Sequence, residues 1–191
     1  EMSEELKAKL TDYVQWNVVD ENKIDYNIMK MFEVLKFPAM NLREIDVLTK
    51  DFEKLTVLDL SRNNISTIEN TPPNLQELYL NSNNINCVKG PTNKNLLHLG
   101  LAFNNIDLKL LNDILRFYPN LFSLNLSHNK LLDLKGTVEL LSQFKDLKVL
   151  VLRGNPFVLI DGYKPYCMNK LQNLRFFDLT PIPKDDAKKK K

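Results

Sequence analysis

Hydrophobic residues are placed along this chain in a motif that returns five times. From Leu55, Leu75, Leu96, Leu121 and Leu147 it reads LTVLDLSRNNI, LQELYLNSNNI, LLHLGLAFNNI, LFSLNLSHNKL and LKVLVLRGNPF, with Leu first, fourth and sixth and Asn ninth in every copy. Positions three to seven alternate, so the fourth and sixth side chains face one side and the third, fifth and seventh the other, the habit of a β-strand. A strand with two inward leucines cannot offset its own ordering entropy, whereas stacked copies form a parallel sheet over a shared apolar interior. The pattern therefore predicts a solenoid.

A sixth copy at Leu174, LRFFDLTPI, keeps the apolar positions without the Asn, and LKFPAMNLREI from Leu35 fits the template in part. These two are expected at the ends of the array. Successive copies from Leu55 to Leu174 stand 20, 21, 25, 26 and 27 residues apart. The two short intervals have room only for an extended or 3-10 return, which Thr71, Pro72 and Pro73 favour because proline fixes φ and discourages helix before it. The longer ones place Leu108, Leu111 and Leu115, then Val138, Leu141 and Phe144, on single helix faces. Before the array, Glu4 to Gln15 and Asp25 to Leu35 read as helices, the first with Ser3 as N-cap. Leu6, Leu10 and Val14 stripe one helix and Ile28, Met31 and Leu35 the other, and both a cap for the array and a grip on a partner fit them. After the array, Tyr166, Met168 and Leu171 suit a short helix over the last strand. The expected division is a helical region over 1–36, a repeat domain over 37–182 whose cap begins at about 154, and a basic tail over 183–191.

The motif and the closing run GNPFVLIDGYKPYCMNKLQNLRFFDLTPI resemble the leucine-rich repeats and carboxy-terminal cap of the protein-phosphatase-regulator class and of ciliary proteins. The likeness covers about residues 42 to 182 and extends to the Pro72-Pro73 pair and the long intervals. It implies an α/β leucine-rich-repeat solenoid with a parallel sheet on the concave face and mixed 3-10 and α segments on the convex face. In such repeats the ninth-position amide points inward and bonds the backbone of its own and neighbouring turns, because a buried curve leaves N–H and C=O groups that need partners. That role falls here to Asn63, Asn83, Asn104, Asn129 and Asn155, leaving Asn64, Asn84 and Asn105 to solvent. The resemblance further implies a cytoplasmic component of motile cilia, bound to the axoneme or to its assembly machinery.

Composition narrows the function classes. With 191 residues, 43% of them hydrophobic, the chain can bury a sizeable core. Its formal charge is +2, and the closing Lys188 to Lys191 leave −2 for everything before them, so the folded part is not marked as a specific nucleic-acid binder. Cys87 and Cys167 stand far apart and outside metal spacing, apolar runs are too short to cross a bilayer, and no Gly-rich phosphate loop or other cofactor motif occurs. The lysines of the tail read as a solvated linker, with weak contact to acidic tubulin tails, nucleic acid or anionic lipid as the alternative. A first residue of Glu and a last run of Lys suggest a segment of a longer polypeptide.

Function is then expected on the face that the strands create. Position counting puts Glu77, Tyr79, His98, Phe103, Asn125, His128, Val149, Val151, Arg153 and Phe176 on the concave side, aromatic and aliphatic anchors within a polar rim. Val149 and Val151 weigh most, since an open strand position needs no valine for folding; a partner or the chain's own cap would cover them. His98 and His128 are too few for a catalytic zinc site, and an open sheet excludes little water, so no enzyme is expected. The expected role is an adaptor that holds an axonemal polypeptide, the alternative a soluble regulator of an enzyme such as a phosphatase.

Overall fold

The computed structural model describes residues 30–45 and 52–183. Strands β1 (Val34–Lys36), β2 (Val57–Asp59), β4 (Glu77–Tyr79), β6 (His98–Gly100), β7 (Ser123–Asn125), β8 (Val149–Val151), β9 (Phe176–Phe177) and β10 (Thr180–Pro181) form one sheet in that order. All neighbours are parallel except β9 and β10, and each repeat pairs at the same position, as in Leu58 with Leu78, Leu78 with Leu99 and Leu99 with Leu124. Those fourth-position leucines and the sixth-position Leu60, Leu80, Leu101, Leu126 and Leu152 are buried in one core. The solenoid is the α/β architecture that the spacing predicts.

The return segments follow interval length. In the two short intervals the chain makes β3 (Thr67–Ile68) and β5 (Cys87–Val88), a two-stranded parallel sheet on the far side of the core. Here the expected extended return pairs with its neighbour, which satisfies backbone groups that a lone segment would leave to water. The longer intervals hold α1 (Leu108–Phe117) and α2 (Leu134–Leu141), each started by an aspartate whose carboxylate accepts a backbone N–H three residues on: Asp107 from Leu110 at 2.8 Å and Asp133 from Gly136 at 3.0 Å. After the fifth copy come a 3-10 turn, Pro156–Leu159, and α3 (Tyr163–Lys170).

Both ends depart from expectation. A helix does not run through Leu35: Val34–Lys36 is strand β1, with Leu35 buried and paired to Leu58. A strand wins because the open edge of β2 offers unpaired backbone groups, and Phe37 N–H continues the ladder to Asp59 O at 2.7 Å. Glu4 to Gln15 and residues 25–29 of the second predicted helix lie outside the described residues, as does the lysine run. At the other end α3 presents Tyr163 and Cys167 to the core, while Met168 is exposed and Tyr166 packs only partly.

The ninth-position amides knit the copies together as expected. Asn104 Nδ2 donates to Leu80 O of the preceding copy at 2.8 Å and to Leu101 O of its own at 3.2 Å, while its Oδ1 accepts from Ile85 N at 2.9 Å. Asn83, Asn129 and Asn155 repeat the arrangement one step along the array. Asn64 and Asn84 are exposed and Asn105 is half-buried.

Asp178 does something that position counting does not reveal. In the inner copies the sixth-position N–H donates to a fifth-position carbonyl of the next copy, as Leu126 N does to Val151 O at 2.9 Å. At the last copy Asp178 leaves the strand at φ 48°, and its Oδ1 accepts from Leu152 N at 2.7 Å and Arg153 N at 3.0 Å instead. The carboxylate replaces the missing carbonyl. Its other oxygen accepts from Tyr163 Oη at 2.9 Å, tying α3 to the final edge. Burial, then the Asp178 charge, pushes the Tyr163 hydroxyl above its ordinary range and the Cys167 thiol up to about 12.

Candidate partner interface

The strands bring the candidate residues into rows. In the third-position row His98 lies between Glu77 and Ser123, and Val149 between Ser123 and Phe176. Val149 is half-buried and Phe176 is 45% exposed, so this end of the row offers apolar surface. The fifth-position row is more enclosed. Tyr79 is half-buried, its hydroxyl donates to Glu77 Oε2 at 2.7 Å, and a Cβ on the neighbouring Gly100 would meet its ring at 3.3 Å. Burial first, then Glu77 and Asp59, raise the Tyr79 pKa to about 12.

Two candidates serve the fold more than a partner. Val151 is buried at 5% exposure, so it is not the open anchor that alternation implies. Val151 closes β8, paired with Asn125 on one side and, on the other, next to Leu152, whose N–H the Asp178 turn accepts. We expect Val151→Glu to lower unfolding stability by about 2 kcal/mol, through a poorly solvated carboxylate, with Val149→Glu costing less; urea denaturation of both checks this. Asn125, half-buried, accepts from Ser127 N at 3.0 Å and Ser127 Oγ at 2.8 Å, and so holds the turn that follows its strand.

The eighth position is left-handed backbone in every full copy: Arg62, Ser82, Phe103, His128 and Gly154 have φ of 60°, 57°, 56°, 55° and 75°. Bulky side chains rarely adopt it. Phe103 is nevertheless 55% exposed, and its ring stacks on His128 at 4.2 Å and 5°. The His128 ring in turn occupies the space that a Cβ on Gly154 would fill, which gives that glycine a second reason beyond its φ. Arg153 is exposed beside it.

The histidines do not meet as a chemical pair. His98 opens β6 and touches the Tyr79 ring at 4.7 Å, whereas His128 lies in the turn beyond β7. Burial lowers the His98 pKa, with Glu77 opposing, so its imidazole is neutral near pH 7. Among the described residues no cluster of His, Cys, Asp or Glu could hold a metal ion, and no helix is long and apolar enough to cross a membrane.

Counting by alternation also missed two residues. Leu97 and Phe122, at the second position, are each 45% exposed. The signal was in the sequence: the second position is Thr, Gln, Lys or Arg in the other copies, and Leu and Phe only here.

Short parallel strands, inward leucines and a ladder of asparagines define a leucine-rich-repeat protein, and this chain is one. The family model described as Leucine Rich Repeat matches residues 54–73. Leucine-rich repeat-containing protein 43 of Homo sapiens is similar, 35% identical over 146 residues that make up 71% of this chain and 22% of that protein. The Mus musculus protein of the same name is 36% identical over 138 residues, 66% of this chain and 20% of its own length. The chain thus spans about a fifth of the length of these two relatives. Among solved structures, a chain of the Drosophila melanogaster SNF/U2A' complex superposes with a TM-score of 0.50 at 25% identity, covering 80% of this chain and 76% of that one. Such repeats are protein-interaction modules, and the open sheet fits a scaffold or adaptor.

Proposed function

We propose that the chain is a non-catalytic adaptor of the axoneme of motile cilia, with a partner polypeptide held on the concave face along Tyr79, His98, Phe103, His128, Val149, Arg153 and Phe176. The carrying observation is Phe103, a large apolar ring exposed to solvent on left-handed backbone, a costly residue that repays nothing in the core. Val149 and Phe176, paired across β8 and β9, offer a separate apolar stretch, and Arg153 supplies a polar rim. The ciliary setting rests on the resemblance to ciliary leucine-rich-repeat proteins.

Phe103→Asn tests this reading, since asparagine tolerates left-handed backbone. Relief of strain offsets the lost His128 stack, worth about 1 kcal/mol, so thermal stability should stay nearly constant. In demembranated cilia the unsubstituted protein should remain with the axonemes, and the variant should wash into the soluble fraction. If the unsubstituted protein washes out too, the enzyme-regulator reading takes over; if the variant is retained, Phe103 does not hold the partner.

A further inference from the structure

Along the edge where the strands begin, the second-position residues form a continuous row. Each is joined to the next by a backbone hydrogen bond: Gln76 N to Thr56 O at 2.8 Å, Leu97 N to Gln76 O at 2.8 Å, Phe122 N to Leu97 O at 2.8 Å, Lys148 N to Phe122 O at 2.8 Å and Arg175 N to Lys148 O at 2.7 Å. The row is graded. It passes from the polar Thr56 and Gln76 through two exposed apolar side chains to two cations, and Glu33 precedes Thr56 at its other end, joined at 2.9 Å. Leu99 and Leu124, not Leu97 and Phe122, fill the core behind, so folding does not account for the exposed pair.

The spacing selects the occupant. Neighbouring strands lie about 4.8 Å apart. A helix laid across them presents a side chain to the same face about every 5.4 Å, so its i, i+3 and i+4 residues keep step with several strands. An extended peptide in that direction repeats a face only every ~6.7 Å and falls out of step after two strands. The charge selects further: neither Lys148 nor Arg175 forms an ion pair among the described residues, where the one such pair is Lys30 with Glu53. Carboxylates from outside would complement them, and Glu33 would repel carboxylates at the far end.

We infer that this edge docks an amphipathic helix of a partner protein, its apolar stripe on Leu97 and Phe122 and its acidic end over Lys148 and Arg175. The inference rests on the adaptor reading above and names the partner's chemistry. Its test uses the full chain and three synthetic peptides of about 19 residues, roughly the span of the row at helical rise. One is a helix with leucines at i, i+3, i+4 and i+7 and glutamates at one end. The second carries lysines in place of the glutamates, and the third has the composition of the first with leucines at every second residue. In fluorescence anisotropy at low salt the first should bind best. The double variant Lys148→Glu with Arg175→Glu, folded by circular dichroism, should bind it about tenfold more weakly and should prefer the lysine peptide. Equal binding of all three peptides, preference for the alternating one, no binding of the first, tighter binding of single-stranded nucleic acid, or a dimer in sedimentation that Leu97→Ser with Phe122→Ser dissolves would each overturn it. If it fails while Phe103→Asn still releases the protein from axonemes, the adaptor reading stands and only this occupant is lost.

Discussion

Asn129→Ala is expected to remove about 3 kcal/mol of unfolding stability, the upper part of what single substitutions cost. The amide donates to Leu101 O at 2.8 Å, Leu126 O at 3.0 Å and Ser127 O at 3.1 Å, and accepts from Ile106 N at 2.9 Å, all within a side chain only 7% exposed. Alanine leaves those buried groups without the amide that pairs them. Because the bonds join two copies, the loss should spread to both flanking strands and shorten the cooperative unit. Asn105→Ala, one copy earlier and one place further along, provides the contrast, with a change of less than about 0.5 kcal/mol at a half-buried position. Asn129→Asp separates acceptor from donor. The carboxylate keeps the bond from Ile106 N but turns negative oxygen toward the carbonyls of Leu101 and Leu126, which favours its protonated form in the folded state. A raised folded pKa contributes stability that is complete below the unfolded value of about 4 and is lost as pH rises, so the Asp variant should approach the original protein only in acid. Urea denaturation across pH measures all three.

The same amides show why so much of the fold was legible. A repeat announces its period, and a parallel stack at fixed register requires the fourth and sixth leucines to be inside, which is where Leu58, Leu78, Leu99 and Leu124 are. What alternation could not deliver was exposure on the other face. It treats Val149 and Val151 as equals, yet Val151 is buried and Val149 is half-open. Nor does it mark the eighth position as left-handed, because Arg62, Ser82, Phe103 and His128 share no residue type there and only Gly154 hints at it. Alternation thus groups the residues that share a face and leaves the exposure of each undetermined. Leu97 and Phe122 escaped since the second position precedes the alternation, and its side-chain direction depends on how the chain enters the strand.

The end of the array was the least legible part, and Asp178→Ala is the second substitution expected to cost about 3 kcal/mol, from bonds to a charged acceptor at about 1.5 kcal/mol or more each that do not simply add. It removes the acceptor of Leu152 N and Arg153 N and frees Tyr163 Oη. Alanine would also keep the strain of the left-handed backbone without a polar side chain to ease it. Three variants sort these contributions. Asp178→Asn retains an oxygen for the two N–H groups and an NH2 that can donate to the Tyr163 oxygen, so it should lose least. Asp178→Gly relieves the backbone but supplies no acceptor, and should fall between Asn and Ala. Tyr163→Phe deletes only the tie to α3 and should cost about 1 kcal/mol. Amide hydrogen exchange distinguishes the site of damage: in a solenoid whose copies are held by their neighbours, losing the terminal acceptor should expose Leu152, Arg153 and the β8 amides first and leave β2 and β4 protected. Uniform loss of protection across all the strands would instead mean that the array unfolds as one unit and that Asp178 is a global rather than a terminal support.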